Sequence, residues 1–173
     1  MKLDVLGFIQ SDDSRCGVAS VKSILYYYGI DATEDEIAKR CNHSYELGCT
    51  NEDMMIALES YGVKAILVEN GTIGQLAYWN RYRVPVIVDF FTPSINPSEG
   101  DMPNGHSGII VDVDKTNVYL LDPENGKVRT ILHEEFERVW FDWDTTPTLE
   151  ADTKMNLRVM IIPIPKHIEN FLT

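Results

Sequence analysis

The chain has 173 residues, 27 acidic against 15 basic, a formal net charge of −12 and 44 % hydrophobic residues. That size suits one domain with a core large enough to stand without staples, and the mix of apolar and charged residues excludes disordered, collagen-like and coiled-coil classes. So acidic a chain repels phosphate backbones and anionic lipid, so neither nucleic acid nor membrane is expected as a partner.

No apolar run approaches the ~18 residues of a membrane span; stretches such as Val84-Pro85-Val86-Ile87-Val88 have strand length. The N-terminus lacks the apolar core and small-residue cleavage site of a signal peptide, so a cytoplasmic location is expected. Three cysteines, Cys16, Cys41 and Cys49, are an odd and small set. That argues against a disulfide framework and for at least one free thiol.

In chain order, Cys16 to Tyr28 places Val18, Val21, Leu25 and Tyr28 on one face, and Gly29 ends that helix. Thr33-Glu34-Asp35-Glu36 is a capping box for a second helix towards Arg40. Thr50 caps a third from Asn51 to Tyr61, stopped at Gly62. Val63 to Val68 reads as a short strand. Thr72-Ile73-Gly74-Gln75 is another capping box, for a helix to about Arg81. Strands follow at Val84 to Phe91, His106 to Val113 and Asn117 to Leu121. Lys127 to Leu132 is a further strand, after the hairpin signal Asn125-Gly126. His133 to Trp140 reads as a short helix and Leu157 to Ile164 as a closing strand. Thr92 to Gly105 and Asp142 to Asn156 are expected to be loops, the first long enough to carry function. Helices first and an antiparallel sheet after them make an α+β domain. A single domain over 1–173 is expected, with a helical half about 1–83 and a sheet half about 84–173.

Four residues stand out together. Cys16 opens a helix, where the N-terminus carries roughly half a positive charge and favours a thiolate. His106 begins a strand and is the better-placed histidine to act as its base, with Ser107-Gly108 leaving room beside it. Asp122 ends the next strand, where hairpin pairing could bring it beside His106 to hold the imidazole's tautomer and orientation. Gln10, six residues before Cys16, could donate its amide to an oxyanion, with the backbone N–H of Cys16 as second donor.

The segment Gln10-Ser-Asp-Asp-Ser-Arg-Cys16-Gly17-Val18-Ala19, with Ile24-Leu25-Tyr26-Tyr27-Tyr28-Gly29, resembles the opening of the bacteriocin-processing cysteine peptidases. These are the double-glycine leader peptidases of the papain-like superfamily. Gly105-His106-Ser-Gly-Ile-Ile-Val and Val118-Tyr119-Leu120-Leu121-Asp122-Pro123 resemble the family's second block. The resemblance implies a papain-like fold and a peptide or protein substrate. By it Cys16 maps to the nucleophile, His106 to the base, Asp122 to the orienting acid and Gln10 to the oxyanion residue. Two positions depart from the pattern: Arg15 stands where the family often has aspartate, and Ser107 where a bulky residue commonly follows the histidine. Family members are often the front ends of transporters, and a chain ending at Thr173 without a span is expected to be a stand-alone peptidase domain.

Other clusters read as structural. Cys41-Asn42-His43 with Cys49 matches no common zinc spacing and lacks an evident fourth ligand. Asp112-Val-Asp114-Lys-Thr-Asn117 lacks the central glycine and closing glutamate of a calcium loop, so a hairpin turn explains it better. The Tyr26–Tyr28 run is expected to be helix packing plus exposed hydroxyls, and His133 and His167 structural. Neither metal nor organic cofactor is implied. The expected enzyme is a cysteine peptidase cutting a peptide or isopeptide bond, with Thr92 to Gly105 walling or gating the cleft. The alternatives are an acyltransferase using the same acyl-enzyme and a non-catalytic peptide-binding domain that keeps the cleft.

Overall fold

The structure is a computed structural model that describes residues 2–92, 104–143 and 155–165. The helices are α1 (Cys16–Tyr27), α2 (Glu34–Arg40), α3 (Asn51–Ser60), α4 (Ile73–Arg81) and α5 (His133–Val139). The strands are β1 (Lys64–Val68), β2 (Val86–Thr92), β3 (Asn104–Val113), β4 (Asn117–Asp122), β5 (Lys127–Leu132), β6 (Phe141–Trp143), β7 (Met155–Leu157) and β8 (Met160–Ile164).

Six strands form one antiparallel sheet in the order β1-β8-β2-β3-β4-β5, and β6 pairs with β7 in a separate ribbon. The α+β reading holds. Helices cover both faces of the large sheet. Alternation along β2 shows this directly. Ile87 joins a core with Val18, Val21, Ile24 and Leu25 of α1, Ile37 of α2 and Leu58 of α3. Val86, Val88 and Phe90 face a second core with Leu76 of α4, Phe136 of α5 and Trp140. Period-two side-chain alternation feeds both layers, and buried Val, Ile and Leu read as near-continuous apolar runs for that reason.

The helix starts follow from sequence. Thr33, Thr50 and Thr72 each accept a hydrogen bond from the N–H three residues on, and Glu36, Asp53 and Gln75 reach back to complete the boxes. Helix α1 is buried on more than one face: Ser20 and Ser23 are as inaccessible as Val18 and Leu25. Ser23 meets its own need by donating to the Ala19 carbonyl at 3.0 Å and accepting from Phe8 N–H at 3.2 Å. The N-terminal segment is thereby stitched across α1, and Leu3 N–H also bonds the Val111 carbonyl at 2.8 Å.

Three expectations are corrected. The closing strand expected over Leu157 to Ile164 is broken: Arg158 takes φ 49° and its N–H bonds the Trp140 carbonyl, so Leu157 pairs with β6 while Met160 onward pairs with β1 and β2. The loop expected over Asp142 to Asn156 therefore begins and ends in paired strand, with 144–154 outside the described residues. The Asn125-Gly126 hairpin is not a two-residue turn. Asp122 pairs with Lys127 across a loop of Pro123 to Gly126, closed by Gly126 N–H on the Asp122 carbonyl at 2.8 Å. Pro123 has no N–H to donate, which favours the longer turn. Of the gate expected over Thr92 to Gly105, Thr92 and Asn104 pair as strand, and 93–103 lie outside the described residues, as does His167. Among the described residues no helix is long and apolar enough to cross a membrane.

Leu25 is fully buried in the α1 core, so Leu25→Ala should cost about 2–5 kcal/mol, whereas Thr72→Ala at an exposed cap should cost about 1 kcal/mol. Urea unfolding of the two variants checks that order.

Candidate active site

Cys16 is the first residue of α1, and the residue before it, Arg15, provides no side-chain cap. The first-turn N–H groups beside the thiol are thus not taken up by a capping side chain. Gly17 follows because there is no space for more: a Cβ there would stand 2.9 Å from Met54 Sδ and 3.4 Å from Cys49 Cβ. The turn before Cys16 is fixed by charge. Arg15 lies 3.1 Å from Asp12 and 2.9 Å from Asp35, and Ser14 N–H donates to Asp12 at 2.9 Å.

On the sheet, β3 carries His106 and β4 ends in Asp122. Ile109 pairs with Leu121, so His106 and Asp122 are diagonal neighbours, a spacing that long side chains span. Their contact is Nε2 to Oδ1 at 2.8 Å. Asp122 has no solvent exposure. It accepts from Glu124 N–H at 2.9 Å on the same oxygen and from Arg129 Nη1 at 2.9 Å on the other. Burial works to raise its pKa, but the bonds from His106, Glu124 N–H and Arg129 outweigh this and lower it to about 2. An ionised carboxylate can only accept, so Nε2 carries the proton, and Nδ1 is left for the thiol. Burial also works to lower the imidazole's pKa. Hydrogen bonds to Asp122 and to Cys16, with the charges on both, reverse that and raise it to about 10. Phe90, the cross-strand partner of His106, sets the ring edge-on at 5.3 Å.

The structure thus places both Asp122 and Cys16 against the His106 imidazole. Gln10 is tied to the same corner through its backbone, whose N–H donates to the Pro123 carbonyl at 2.9 Å. Its side-chain Oε1 is buried without a partner, and among the described residues no hydrogen bond joins that side chain to Cys16.

A family model described as the Peptidase C39 family matches residues 7–143. The chain belongs to the peptidase C39 family. Membership makes it a cysteine peptidase, a hydrolase. Among solved structures, a double glycine motif protease from an AMS/PCAT transporter, in complex with its leader peptide, is similar at 19 % identity and TM-score 0.68, over 95 % of this chain and 94 % of that one. The peptidase domain of Streptococcus ComA, a bifunctional ABC transporter of quorum sensing, is similar at 17 % identity and TM-score 0.69, over 95 % and 98 %. A C39-like peptidase from Bacillus anthracis is similar at 16 % identity and TM-score 0.63, over 94 % and 97 %. These likenesses are of fold. No curated protein matches the sequence.

Several neighbours of this C39 site are not visible as motifs. Arg129 lies two residues from Lys127, the cross-hairpin partner of Asp122; extending the hairpin register beyond its turn finds it. Gly108 does not leave open room beside His106: a Cβ there would meet Leu120, the Leu121 carbonyl and Phe90 at 3.0–3.1 Å. At Gly105 a Cβ would meet the Asp142 carboxylate, which would have to swing aside. Ser107 donates to buried Asp89 at 3.0 Å, so the residue after the histidine serves the sheet.

His43 Nε2 lies 2.9 Å from Ser14 Oγ and 3.2 Å from the Ser14 carbonyl, and among the described residues no group of three or more His, Cys, Asp or Glu is disposed to hold a metal ion. Asp114 closes the β3–β4 turn by accepting from Thr116 and Asn117 N–H and from Tyr119 OH. In the Tyr26–Tyr28 run, Tyr27 and Tyr28 donate to the Arg83 and Pro163 carbonyls. His133 N–H bonds the Thr116 carbonyl.

The His106 shift has two contributors that can be removed separately. The imidazole should titrate at lower pH in Cys16→Ser and in Asp122→Asn than in the wild type, read from the ring Cε1–H NMR signal. The pair also sets a stability window. His106 is raised from 6.5 to about 10, so its contribution is complete below about pH 6.5 and is lost as pH rises through about 10. Asp122 is lowered from 3.8 to about 2, so its contribution is present above about pH 4 and is lost as pH falls through about 2. Urea unfolding across pH should therefore show an acid limb and an alkaline limb, both flattened in the His106→Ala, Asp122→Asn double variant.

Proposed function

We propose that this C39 peptidase cleaves its peptide through Cys16 as nucleophile, His106 as general base and acid, Asp122 as the orienting acid and Gln10 as oxyanion donor. The observation that carries this reading is the imidazole held between a buried, ionised Asp122 and the Cys16 thiol. The raised His106 favours an imidazolium, and an imidazolium beside a thiol stabilises the thiolate.

The Cys16 thiolate adds to the scissile carbonyl. The oxyanion that forms takes hydrogen bonds from the Gln10 amide and the Cys16 backbone N–H. His106 gives its Nδ1 proton to the leaving amine, then draws a proton from water as that water attacks the thioester. Asp122, fixed by Arg129 and the Glu124 N–H, keeps the second ring proton on Nε2 throughout. The acyl-enzyme accounts equally for a peptide or an isopeptide bond. The cleft between α1 and the end of β3 is read as the seat of an extended peptide, in keeping with the similar double glycine motif protease in complex with a leader peptide.

The test is selective alkylation. Iodoacetamide at about pH 6.5 should label Cys16 at least tenfold faster than Cys41 or Cys49, followed by peptide mass mapping, because the thiolate is the reacting form. His106→Ala should remove most of that advantage. Equal labelling of the three cysteines refutes the assignment. On a cleavable peptide, Cys16→Ser should abolish turnover, and Gln10→Ala should lower kcat by roughly a hundredfold or more with little change in KM.

A further inference from the structure

Asp122 is met from the strands on both sides of β4. From β3 comes His106, a diagonal neighbour, with Nε2 at 2.8 Å from Oδ1. On the other side Lys127 of β5 stands directly opposite Asp122 and Arg129 opposite Leu120, so Arg129 is the diagonal neighbour there. Diagonal positions on one sheet face are within reach of long side chains. Lys127 is exposed, and it is Arg129 that crosses to the carboxylate, Nη1 to Oδ2 at 2.9 Å.

The two carboxylate oxygens are served unequally. Oδ1 takes two donors, His106 and the Glu124 N–H. Among the described residues Oδ2 takes one, from Arg129. The Asp122 side chain has no solvent exposure, so bulk water does not reach that oxygen, whereas the Arg129 side chain is 38 % exposed. Its stem crosses the sheet while its head keeps contact with water, so a cation is brought to a buried anion without being fully desolvated. Other charged groups nearby do not stand in for it. His106, with Cys16 beyond it, is on the far oxygen, and the Glu124 and Lys127 side chains are exposed. Gln10, tied to the Pro123 carbonyl, is neutral. Burial pushes the Asp122 carboxyl up, and the bonds from His106, the Glu124 N–H and Arg129 bring it down to about 2.

We propose that Arg129 is a positioning residue of the reaction, which holds Asp122 as an anion through Oδ2 and thereby holds the His106 imidazolium that keeps Cys16 a thiolate. This rests on Cys16 and His106 acting as the proposed function assigns them. The two oxygens then have separate duties. Donors on Oδ1 fix where the imidazole points, and they would do so for a neutral acid too, because a proton on Oδ2 leaves Oδ1 able to accept. The donor on Oδ2 fixes the charge. Without Arg129 a buried, unpartnered Oδ2 favours taking a proton. A neutral Asp122 still orients the ring but no longer stabilises its positive charge. Loss of Arg129 therefore separates ring orientation from ring charge.

The experiment compares the full chain with Arg129→Gln and Arg129→Lys. It follows the His106 Cε1–H NMR signal with pH and the rate of Cys16 alkylation by iodoacetamide at about pH 6.5. Arg129→Gln should titrate the imidazole about one pH unit lower or more and label Cys16 roughly fivefold slower or more, while the Nε2–H signal of the bond to Asp122 persists. Arg129→Lys keeps a cation and should stay near the wild type in both readouts. In an Asp122→Asn background Arg129→Gln should add no further shift, because its effect passes through the carboxylate. Near-UV circular dichroism checks folding, and Arg129→Met takes the place of a glutamine variant that does not fold. Wild-type titration and labelling in Arg129→Gln, a shift that survives in Asp122→Asn, or a lysine variant that behaves like the glutamine one overturns the role of the Arg129 charge and leaves Cys16 and His106 standing. Slow Cys16 labelling in the wild type overturns the nucleophile first and the role of Arg129 with it.

Discussion

The sheet side of the site depends on one buried carboxylate. Asp122 has no solvent exposure yet is held ionised, and a charge in that position survives only when its lone pairs are taken up. Its donors come from three places in the chain: His106 on β3, Arg129 on β5 and the Glu124 N–H in the turn between β4 and β5. The next residue, Pro123, accepts from Gln10, which brings the N-terminal segment to the same point. Losing any donor would expose the others to the cost of an under-paired buried charge. The constraint therefore sets strand register, turn length and imidazole orientation together.

Cys16 is fixed by a different network. Arg15 stands among Asp12, Glu34 and Asp35, so part of the chain's large acidic excess is spent locally on holding the turn before the thiol. His43 and Gly48 brace Ser14 from the α2–α3 loop. Arg15 is the hub of this network. Its contacts point away from the sheet, to the start of α2, so they brace the turn without joining the Asp122 network.

Local chemistry explains what could be read in advance. Capping boxes at Thr33, Thr50 and Thr72 and the stop at Gly29, where φ is +79°, are decided within a few residues, and the sequence shows them directly. The His106–Asp122 contact was legible because hairpin pairing is nearly local. What escaped was decided at long range. Nothing near α4 says that it covers the opposite sheet face from α1. The break at Arg158 depends on Trp140, Asn70 and Gly71, which reach it from elsewhere in the chain. Gly108 suggested open space, but Phe90, Leu120 and the Leu121 carbonyl fill it.

The two networks share no ion pair among the described residues, so their mutual position rests on apolar packing. Val18, Val21, Ile24 and Leu25 seat α1 against Ile109 and Val111 of β3, the strand that carries His106. Interiors packed to crystal-like density transmit displacement rather than absorb it. A shift of α1 along the sheet would move Cys16 relative to His106 while leaving the Asp122 cluster and the Arg15 cluster each intact. The alignment of thiol and imidazole is therefore a property of the hydrophobic core. That ties the chemistry of the thiol to residues that never touch it, and makes Gly17, where Met54 and Cys49 close in, a tight position beside the thiol.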